Sequence, residues 1–413
     1  MFWDNGKARF LDALFTSVSA VSVTGLSIVD ITTLSPFGTL VLLLLIQVGG
    51  LGLITFSSMF LTLPRRKLSI ANSNLIQNYF TNEEIVNPKF IIRIVLRFTL
   101  TIELIGAIFL YFSFSKLSVP NPVFMSIFHS VSAFCNAGFS TFPGGLVIFR
   151  NDTFASVTFM FLIVTGGLGF MVLQDLLDLF RGRDLKLLLH TKIMLLSTIV
   201  LIFSGSILFY VLEYNNSTME GLSWSNKILP ALFQSVTTRT AGFNTIDQGS
   251  MTISSKALSL VYMLIGGGSG STAGGLKVTT AFLLVAVMFQ GLDYQKGVTI
   301  FNRKIDPQTL TRAGIFFGKA ISIIFVSIIS ILIVESFYGN RFSFLDITFE
   351  TFSAIATVGL SFGITPELSP LSKLILIFTM FAGRVGLFSL ILPKHNIKYD
   401  RTIKYPTGEV LIG

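Results

Sequence analysis

The sequence predicts an all-α membrane protein in which four tandem helix–pore loop–helix units stand in a pseudo-fourfold arrangement around one ion pore. Of its 413 residues, 52% are hydrophobic and only 12% are charged, whereas soluble domains carry about 25% charged residues. A short glycine-containing pattern occurs four times, and long apolar stretches lie between its copies. The composition therefore places the chain in a lipid bilayer, and the repeats divide it into four similar parts.

Charge and cysteine content exclude several classes of protein. A net charge of +9 would suit a nucleic-acid partner, but the Lys and Arg residues lie in short loops and near helix ends, which is typical of membrane proteins. Cys135 is the single cysteine, so an intrachain disulfide and a cysteine-based zinc site are excluded. Residues 2–7 are neither a basic start nor apolar, and no cleavable signal peptide is expected.

Each copy of the pattern is a five-residue stretch with a central glycine, which we call a filter segment. The four filter segments are Val23-Thr24-Gly25-Leu26-Ser27, Asn136-Ala137-Gly138-Phe139-Ser140, Thr240-Ala241-Gly242-Phe243-Asn244 and Thr357-Val358-Gly359-Leu360-Ser361. Similar runs precede them at residues 12–19, 126–132, 231–237 and 348–353, and each run predicts a short helix that ends at its filter segment. Successive glycines lie far enough apart for two spanning helices with their connections.

Longer apolar helices flank the short ones. Helices that follow the filter segments are predicted at 36–63, 153–180, 256–290 and 371–392, and helices that lead into the short helices at 90–115, 191–213 and 311–337. The units therefore cover 1–63, 90–180, 191–290 and 311–392, and a cytoplasmic tail covers 393–413. The first unit has no room for a leading helix, which predicts either a truncated start or an incomplete unit.

Basic residues indicate how the chain is oriented. The loops after the following helices contain Arg65-Arg66-Lys67, then Arg181, Arg183, Lys186 and Lys192, then Lys296, Arg303 and Lys304, and finally Lys394, Lys398, Arg401 and Lys404. The side of the filter segments carries only isolated basic residues. By the positive-inside rule, the filter segments face the outside of the membrane.

The chemistry of the filter segments suits a monovalent cation. An ion that crosses a bilayer exchanges its water shell for protein oxygens, and main-chain carbonyls supply them where an extended backbone is buried in protein. Glycine tolerates positive φ, and the negative end of the preceding short helix points the same way. A single such glycine is equally explained by a helix end or by close helix packing, but four aligned copies favour a filter, and rings of oxygens without carboxylates favour potassium over divalent ions.

The third following helix contains a stretch of small residues that predicts a break. These residues are Gly266, Gly267, Gly268, Ser269, Gly270, Ser271, Thr272, Ala273, Gly274 and Gly275. Each glycine costs a helix about 1 kcal/mol relative to alanine, and non-helical backbone at this depth must lie in protein or beside water. The alternative is close packing of two helices through small residues.

Three charged residues lie near this level of the membrane. Arg384 follows the last filter segment at a depth of roughly 20 Å along its helix, and a buried intramembrane charge marks a functional site unless it pairs with an acid such as Glu103. Lys277 would either hold the broken stretch by binding carbonyls at helix ends or extend to the interface. Cys135 is expected to be a packing residue.

The whole chain resembles the Ktr/Trk/HKT superfamily of potassium transporters, and within it the KtrB type of membrane subunit. The stretches that carry this resemblance are Asn136-Ala137-Gly138-Phe139-Ser140, Arg239-Thr240-Ala241-Gly242-Phe243-Asn244, residues 266–277, Phe381-Ala382-Gly383-Arg384-Val385-Gly386 and Tyr405-Pro406-Thr407-Gly408-Glu409. The resemblance implies that the filter segments bind potassium, that residues 266–275 with Lys277 form an intramembrane gate, and that Arg384 projects into the pore. A leading helix in the first unit, which this family has, is missing here.

The resemblance also implies a setting for the chain. It implies a bacterial cytoplasmic membrane, a homodimer with one pore per protomer, and a cytosolic KtrA-type ring that binds ATP or ADP, with ATP favouring opening. Potassium is then the only ion bound on this chain, and no organic cofactor is expected there. Glycine rather than serine at Gly25 favours potassium over sodium by analogy with the family.

Two other classes compete with this interpretation. A secondary transporter, such as a sodium/potassium symporter, would show inverted repeats and broken helices in paired positions, whereas these repeats are parallel and the long glycine-rich break occurs once. An enzyme would need paired carboxylates, a nucleophile with its base, or a metal-ligand cluster. The sequence has none at catalytic spacing, and it predicts a non-enzymatic protein.

Overall fold

The computed structural model of the chain describes residues 9–62, 88–183, 186–291 and 297–385, and it describes side chains in these ranges except in 53–62 and 88–91. The predicted tail 393–413 lies outside the described residues, as do the end of the predicted helix 371–392 and the motif at 405–409. Basic residues 65–67, Lys296 and those from Lys394 onward also lie outside them.

Within these residues the chain is almost entirely helical. In chain order the helices are α1 (Phe10–Val21), α2 (Pro36–Thr62), α3 (Pro88–Lys116), α4 (Pro122–Phe134), α5 (Thr153–Leu168), α6 (Phe170–Phe180), α7 (Leu189–Glu213), α8 (Ile228–Thr237), α9 (Ile253–Leu264), α10 (Val278–Gln290), α11 (Pro307–Tyr338), α12 (Phe344–Ile355) and α13 (Pro370–Val385). One antiparallel hairpin, β1 (Val298–Ile300) with β2 (Arg303–Ile305), joins α10 to α11 and pairs Val298 with Ile305.

The four predicted short helices are confirmed as α1, α4, α8 and α12, and local signals explain where they begin. A reciprocal capping box between Ser343 and Asp346 starts α12. Pro122 occupies the first position of α4, where its missing N–H costs nothing. Each short helix contains a buried phenylalanine at a matching position, and these four residues, Phe15, Phe128, Phe233 and Phe349, are each at most 1% exposed.

Packing between the helices follows the order of the units around a ring. Each short helix packs against a following helix of its own unit or the leading helix, as α4 packs on α3 and α8 on α7. Across units, α2 contacts α3 and α4, α5 contacts α8, α9 contacts α12, and α1 contacts α13. The fourth unit therefore meets the first, and the chain closes on itself.

The outer surface of this ring is apolar. On α3, Leu100, Leu104 and Phe112 are more than 60% exposed, whereas Glu103 and Leu110 on the opposite face are buried. An apolar stripe that points away from the protein is what lipid contact requires. Among the described residues, three helices are long and apolar enough to cross a membrane, and α5 with α6 adds a fourth if the bent pair counts as one span.

Breaks in the following helices correct the sequence-based prediction. The predicted continuous helix 153–180 is wrong, because Gly169 adopts φ 102° and bends α5 against α6 by 101°. The predicted helix 36–63 is interrupted at Gly52, with φ 69°. The predicted break in 256–290 is confirmed, with helix on both sides of residues 265–277. Three of the four following helices therefore depart from regular helical geometry beyond their filter segments.

Candidate ion pathway

The four filter segments share one backbone conformation, in which the glycine and one earlier residue both have a positive φ. The residue two positions before each glycine has a positive φ: 53° at Val23, 58° at Asn136, 69° at Thr240 and 51° at Thr357. The glycines have φ values of 95° at Gly25, 71° at Gly138, 75° at Gly242 and 90° at Gly359. Left-handed residues thus alternate with ordinary ones at Thr24, Ala137, Ala241 and Val358.

This alternation turns successive carbonyls to one side. In a strand the carbonyls of neighbouring residues point in opposite directions, whereas a left-handed residue at every second position brings them round to the same direction. Val23, Thr240 and Thr357 are β-branched, and such residues are rare outliers at positive φ. Each costs roughly 1–3 kcal/mol, and strain of this kind collects at functional sites.

The glycines pack against one another's segments in cyclic order. A Cβ on Gly25 would lie less than 3.0 Å from the carbonyl oxygen of Ala137, and the same holds for Gly138 against Ala241, Gly242 against Val358, and Gly359 against Thr24. Each glycine therefore contacts the next unit's segment through its missing side chain. Any larger residue at these positions would push two segments apart.

Hydroxyl groups from the last turns of the short helices hold the filter segments. Ser19 Oγ accepts from Gly25 N at 3.1 Å and Ser353 Oγ accepts from Gly359 N at 3.0 Å. Ser132 Oγ donates to Phe139 O at 2.8 Å and Thr237 Oγ1 donates to Phe243 O at 2.5 Å. The runs before the segments contain these hydroxyl residues at matching places, which is the signal by which the sequence could have identified them.

Several buried hydroxyl oxygens of the filter segments have no hydrogen-bond partner. They are Thr24 Oγ1, Thr240 Oγ1 and Thr357 Oγ1, all in fully buried residues. A buried hydroxyl without a partner is costly, and protein oxygens are the ligands that a cation lacking its water shell requires. Their chemistry fits a monovalent cation as substrate.

The broken stretch between α9 and α10 forms a loop directly beneath the filter segments. Gly266 N donates to Leu276 O at 2.8 Å and Val278 N donates to Gly267 O at 3.0 Å, which joins the two ends of the loop. A Cβ on Gly274 would overlap the Thr357 side chain. We call residues 265–277, which include the predicted gate stretch 266–275 and Lys277, the gate loop; its role as a gate stays a prediction.

The gate loop is hydrogen-bonded to the second unit at the bend between α5 and α6. Gly268 N donates to Gly167 O at 2.8 Å, and Phe170 N donates to Gly270 O at 3.0 Å. Thr272 Oγ1 lies 3.0 Å from both Phe134 O and Gly166 O. Because Phe134 is the last residue of α4, Thr272 connects the gate loop to the helix that ends at the second filter segment.

The side chain of Arg384 contacts the same loop. Its Nη1 donates to Thr272 O, and its Nη2 donates to Gly49 O and, at 3.4 Å, to Gly50 O of α2. One guanidinium thus connects the fourth, third and first units. The alternative of an ion pair with Glu103 is wrong: that carboxylate accepts from Gln47 Nε2 at 3.3 Å, and among described residues the ion pair within 4.0 Å is Arg183–Asp178.

The two remaining residues singled out from the sequence also lie at this level. Lys277 Nζ donates to Ala273 O at 2.7 Å, so its ammonium binds the gate loop itself. Cys135 is fully buried, and a Cβ on Gly50 would overlap its Sγ, which fits a packing residue. The close approaches of Gly49, Gly50, Gly166 and Gly167 were not anticipated, although paired glycines in an apolar run are a sequence signal for them.

Comparison with known proteins gives a consistent picture. The family model described as TrkH, cation transport protein, matches residues 1–400. A Ktr system potassium uptake protein B of Bacillus subtilis is 37% identical over 98% of this chain and 90% of its own length, and one of Vibrio alginolyticus is 38% identical over 97% and 88%. The potassium/sodium uptake protein NtpJ of Enterococcus hirae is 34% identical over 98% and 90%.

A solved structure shows the same fold. The potassium transporter TrkH of Vibrio parahaemolyticus superposes with a TM-score of 0.70 at 20% identity, covering 94% of this chain and 80% of that protein. The multi-pass membrane architecture predicted from the sequence is therefore confirmed.

Proposed function

Because the chain belongs to the TrkH family of cation transport proteins, we propose that it takes up potassium ions across the cell membrane through a channel-like pore. The cyclic contact of four filter glycines, each preceded by a left-handed residue, is the observation that carries this proposal. It supplies aligned carbonyls from four sides, which replace the water shell of a weakly hydrated cation. Relatives named as potassium uptake proteins support potassium as the ion.

The pore is gated by the gate loop together with Arg384. In the arrangement described above, the loop lies across the inner end of the filter and Arg384 binds it to α2. A positive charge at this place raises the barrier for a cation, because Coulomb interactions in a poorly hydrated pore are strong. Opening requires Thr272 and Arg384 to separate.

A cytosolic nucleotide-binding ring supplies the energy for opening, and the membrane subunit works as a homodimer with one pore in each protomer. The names of the two Ktr relatives describe a system, which supports a further component, and the homodimer rests on the resemblance of the sequence to the KtrB type. The hairpin β1–β2 and the basic residues Arg181 and Arg183 after α6 form the side that would meet such a ring. ATP favours the open state and ADP the closed state.

Rubidium uptake into proteoliposomes tests the pore. Wild-type protein should take up rubidium passively, in preference to sodium, and Gly242→Ser or Gly359→Ser should remove that preference by separating two filter segments. Gly144→Ala is a matched control, because its φ is also positive and a Cβ there would meet nothing within 4 Å. No rubidium flux from wild-type protein, even with the ring added, would contradict the proposal.

Sodium coupling is the second candidate function, since NtpJ is named a potassium/sodium uptake protein. Because helices are interrupted at Gly52 and Gly169 as well, more than one unit contains a broken helix, as in secondary transporters. Rubidium uptake that depends on a sodium gradient, and stops when the gradient is dissipated by an ionophore, would support coupled transport over a passive pore.

A further inference from the structure

One position in the short helices differs in chemistry among the four units. It directly follows the repeated buried phenylalanine and is occupied by Thr16, His129, Gln234 and Glu350. All four side chains are buried, with exposed fractions of 5%, 0%, 0% and 1%. A polar side chain at such a place must find partners inside the protein, and its partners differ from unit to unit.

In three units this side chain binds the last residue of the filter segment or a residue a few positions after it. His129 Nε2 lies 3.2 Å from Ser140 Oγ, and Gln234 exchanges hydrogen bonds with Gln248 at 2.8 and 3.0 Å. In the first unit, Thr16 instead donates to Asp12 O of its own helix. The short helix is therefore fastened to the outer end of the filter in units two, three and four.

The fourth unit makes this connection with a carboxylate. Glu350 Oε1 accepts from Ser361 Oγ at 2.5 Å and from Phe362 N at 3.2 Å, and Oε2 accepts from Thr365 Oγ1 at 2.8 Å. Ser361 is the last residue of the fourth filter segment. We call residues 361–365 the outer loop.

The surroundings of Glu350 show that its contacts serve the outer loop. Phe349 stacks on Phe362 with ring centroids 3.8 Å apart, which adds a second connection between α12 and this loop. A nearby cation, Lys256, has its ammonium 4.6 Å from the Phe362 ring centroid and donates to Gly249 O at 2.6 Å. Among the described residues Glu350 makes no ion pair, so the carboxylate is held by loop donors.

We propose that Glu350 is a positioning residue of the filter, which fixes the fourth segment by anchoring the outer loop and thereby sets the preference for potassium over sodium. This inference rests on the proposed function. Selectivity by main-chain carbonyls depends on how far the oxygens yield toward a smaller ion. Three hydrogen bonds to one buried carboxylate limit that movement in the fourth segment, where Gly359 already contacts Thr24 of the first unit.

The test is the inhibition of rubidium uptake by sodium, measured in proteoliposomes with Glu350→Ala and Glu350→Gln. Alanine removes all three bonds, and sodium should then inhibit at about tenfold lower concentration, the equivalent of roughly one to two lost hydrogen bonds. Glutamine can still accept from Phe362 N and Ser361 and donate to Thr365, so it should rescue the wild-type value.

Two further variants complete the design. The double change Ser361→Ala/Thr365→Val leaves Glu350 intact but removes two donors, and it should shift sodium inhibition in the same direction even if Glu350→Ala does not assemble. Glu335→Ala is the matched control, because Glu335 is also buried and accepts from Ser369 N at 2.9 Å and Asn340 Nδ2 at 2.6 Å, away from the filter. It should leave sodium inhibition unchanged.

The outcomes separate the two proposals. Wild-type vesicles that take up no rubidium would contradict the proposed function and this inference with it. Selective wild-type uptake, with sodium inhibition unchanged in the double variant and in any Glu350→Ala protein that assembles, would contradict the inference alone. An equal shift in Glu335→Ala would also overturn it, since loosening of the fold would then explain the effect.

Discussion

Arg384 donates a hydrogen bond to the carbonyl of Thr272, and this contact joins α13 to the gate loop of the third unit. The same guanidinium reaches Gly49 O of α2. Because the donors lie on a charged side chain and the acceptors on main chain, charge and hydrogen bonding can be separated by mutation.

Replacing Arg384 by Gln should raise basal rubidium flux about tenfold, since removal of about 1.4 kcal/mol from a barrier has that effect. The neutral amide keeps a donor but removes the positive charge from the pathway. Flux into proteoliposomes without any added ring would be measured. Arg183→Gln is the control, because Arg183 lies on the inner side with its side chain 65% exposed. Equal flux in wild type and Arg384→Gln would refute the charge barrier.

Thr272→Val should open the gate loop, because it removes the hydroxyl of this residue while keeping a side chain of similar volume. It removes the hydroxyl whose single proton is shared between Phe134 O and Gly166 O, each 3.0 Å away, at a cost to the closed state of about 1 kcal/mol. Basal rubidium flux should rise severalfold. Thr272→Ser keeps the hydroxyl and should behave as wild type. If the serine and valine variants conduct equally, the hydroxyl does not hold the loop.

Gly169→Ala should displace the gate loop from the bend between α5 and α6. Its φ of 102° disfavours alanine, and a Cβ would lie 2.8 Å from Ser269 O. The expected result is increased basal flux, because the bond from Phe170 N to Gly270 O would lengthen. Gly182→Ala provides the comparison, since Gly182 has φ 67° but open space around its Cβ position. For the Gly182→Ala protein, the thermal midpoint of unfolding should fall slightly and the rubidium flux should not change.

Ser353→Ala should weaken the fourth filter segment, because Gly359 N loses its acceptor at 3.0 Å. The loss of about 1 kcal/mol of hydrogen bonding should let sodium inhibit rubidium uptake at severalfold lower concentration. Ser322→Ala on α11, whose hydroxyl donates only to Gly318 O of its own helix at 2.8 Å, should leave inhibition unchanged. Identical sodium inhibition in both variants would argue against this hydrogen bond as a selectivity element.

The repeats could be predicted because their signals are local. The short helix before Gly138 shows its apolar period and its phenylalanine within a few residues, and the glycine-rich stretch 266–275 is incompatible with a straight helix. The bends at Gly52 and Gly169 could not be predicted, because an apolar stretch that contains glycines has the same sequence pattern whether the helix continues or ends there. At Gly169 the gate loop decides it, because it supplies the partners for the backbone at Gly166 and Gly167; at Gly52 the nearby group is the Arg384 side chain.

The partners of the charged residues depend on long-range geometry. Arg384 was expected in the pathway. Its acceptors, however, lie far away in the sequence: Thr272 is 112 positions and Gly49 is 335 positions from Arg384. Glu103 was the acid named as a possible partner of Arg384, and in the structure that carboxylate instead accepts a hydrogen bond from Gln47. Left-handed backbone at Val23 and Thr357 was equally out of reach, since β-branched residues ordinarily avoid it.

The cyclic contact of the four glycines has a consequence for how the proposed pore can change over evolution. All four walls belong to one polypeptide, and the carbonyls that the glycines meet come from four different residues, Ala137, Ala241, Val358 and Thr24. In a pore made of four identical subunits every substitution appears four times, whereas here it appears once. Selection can therefore change one filter segment at a time, while the other three segments keep their structure.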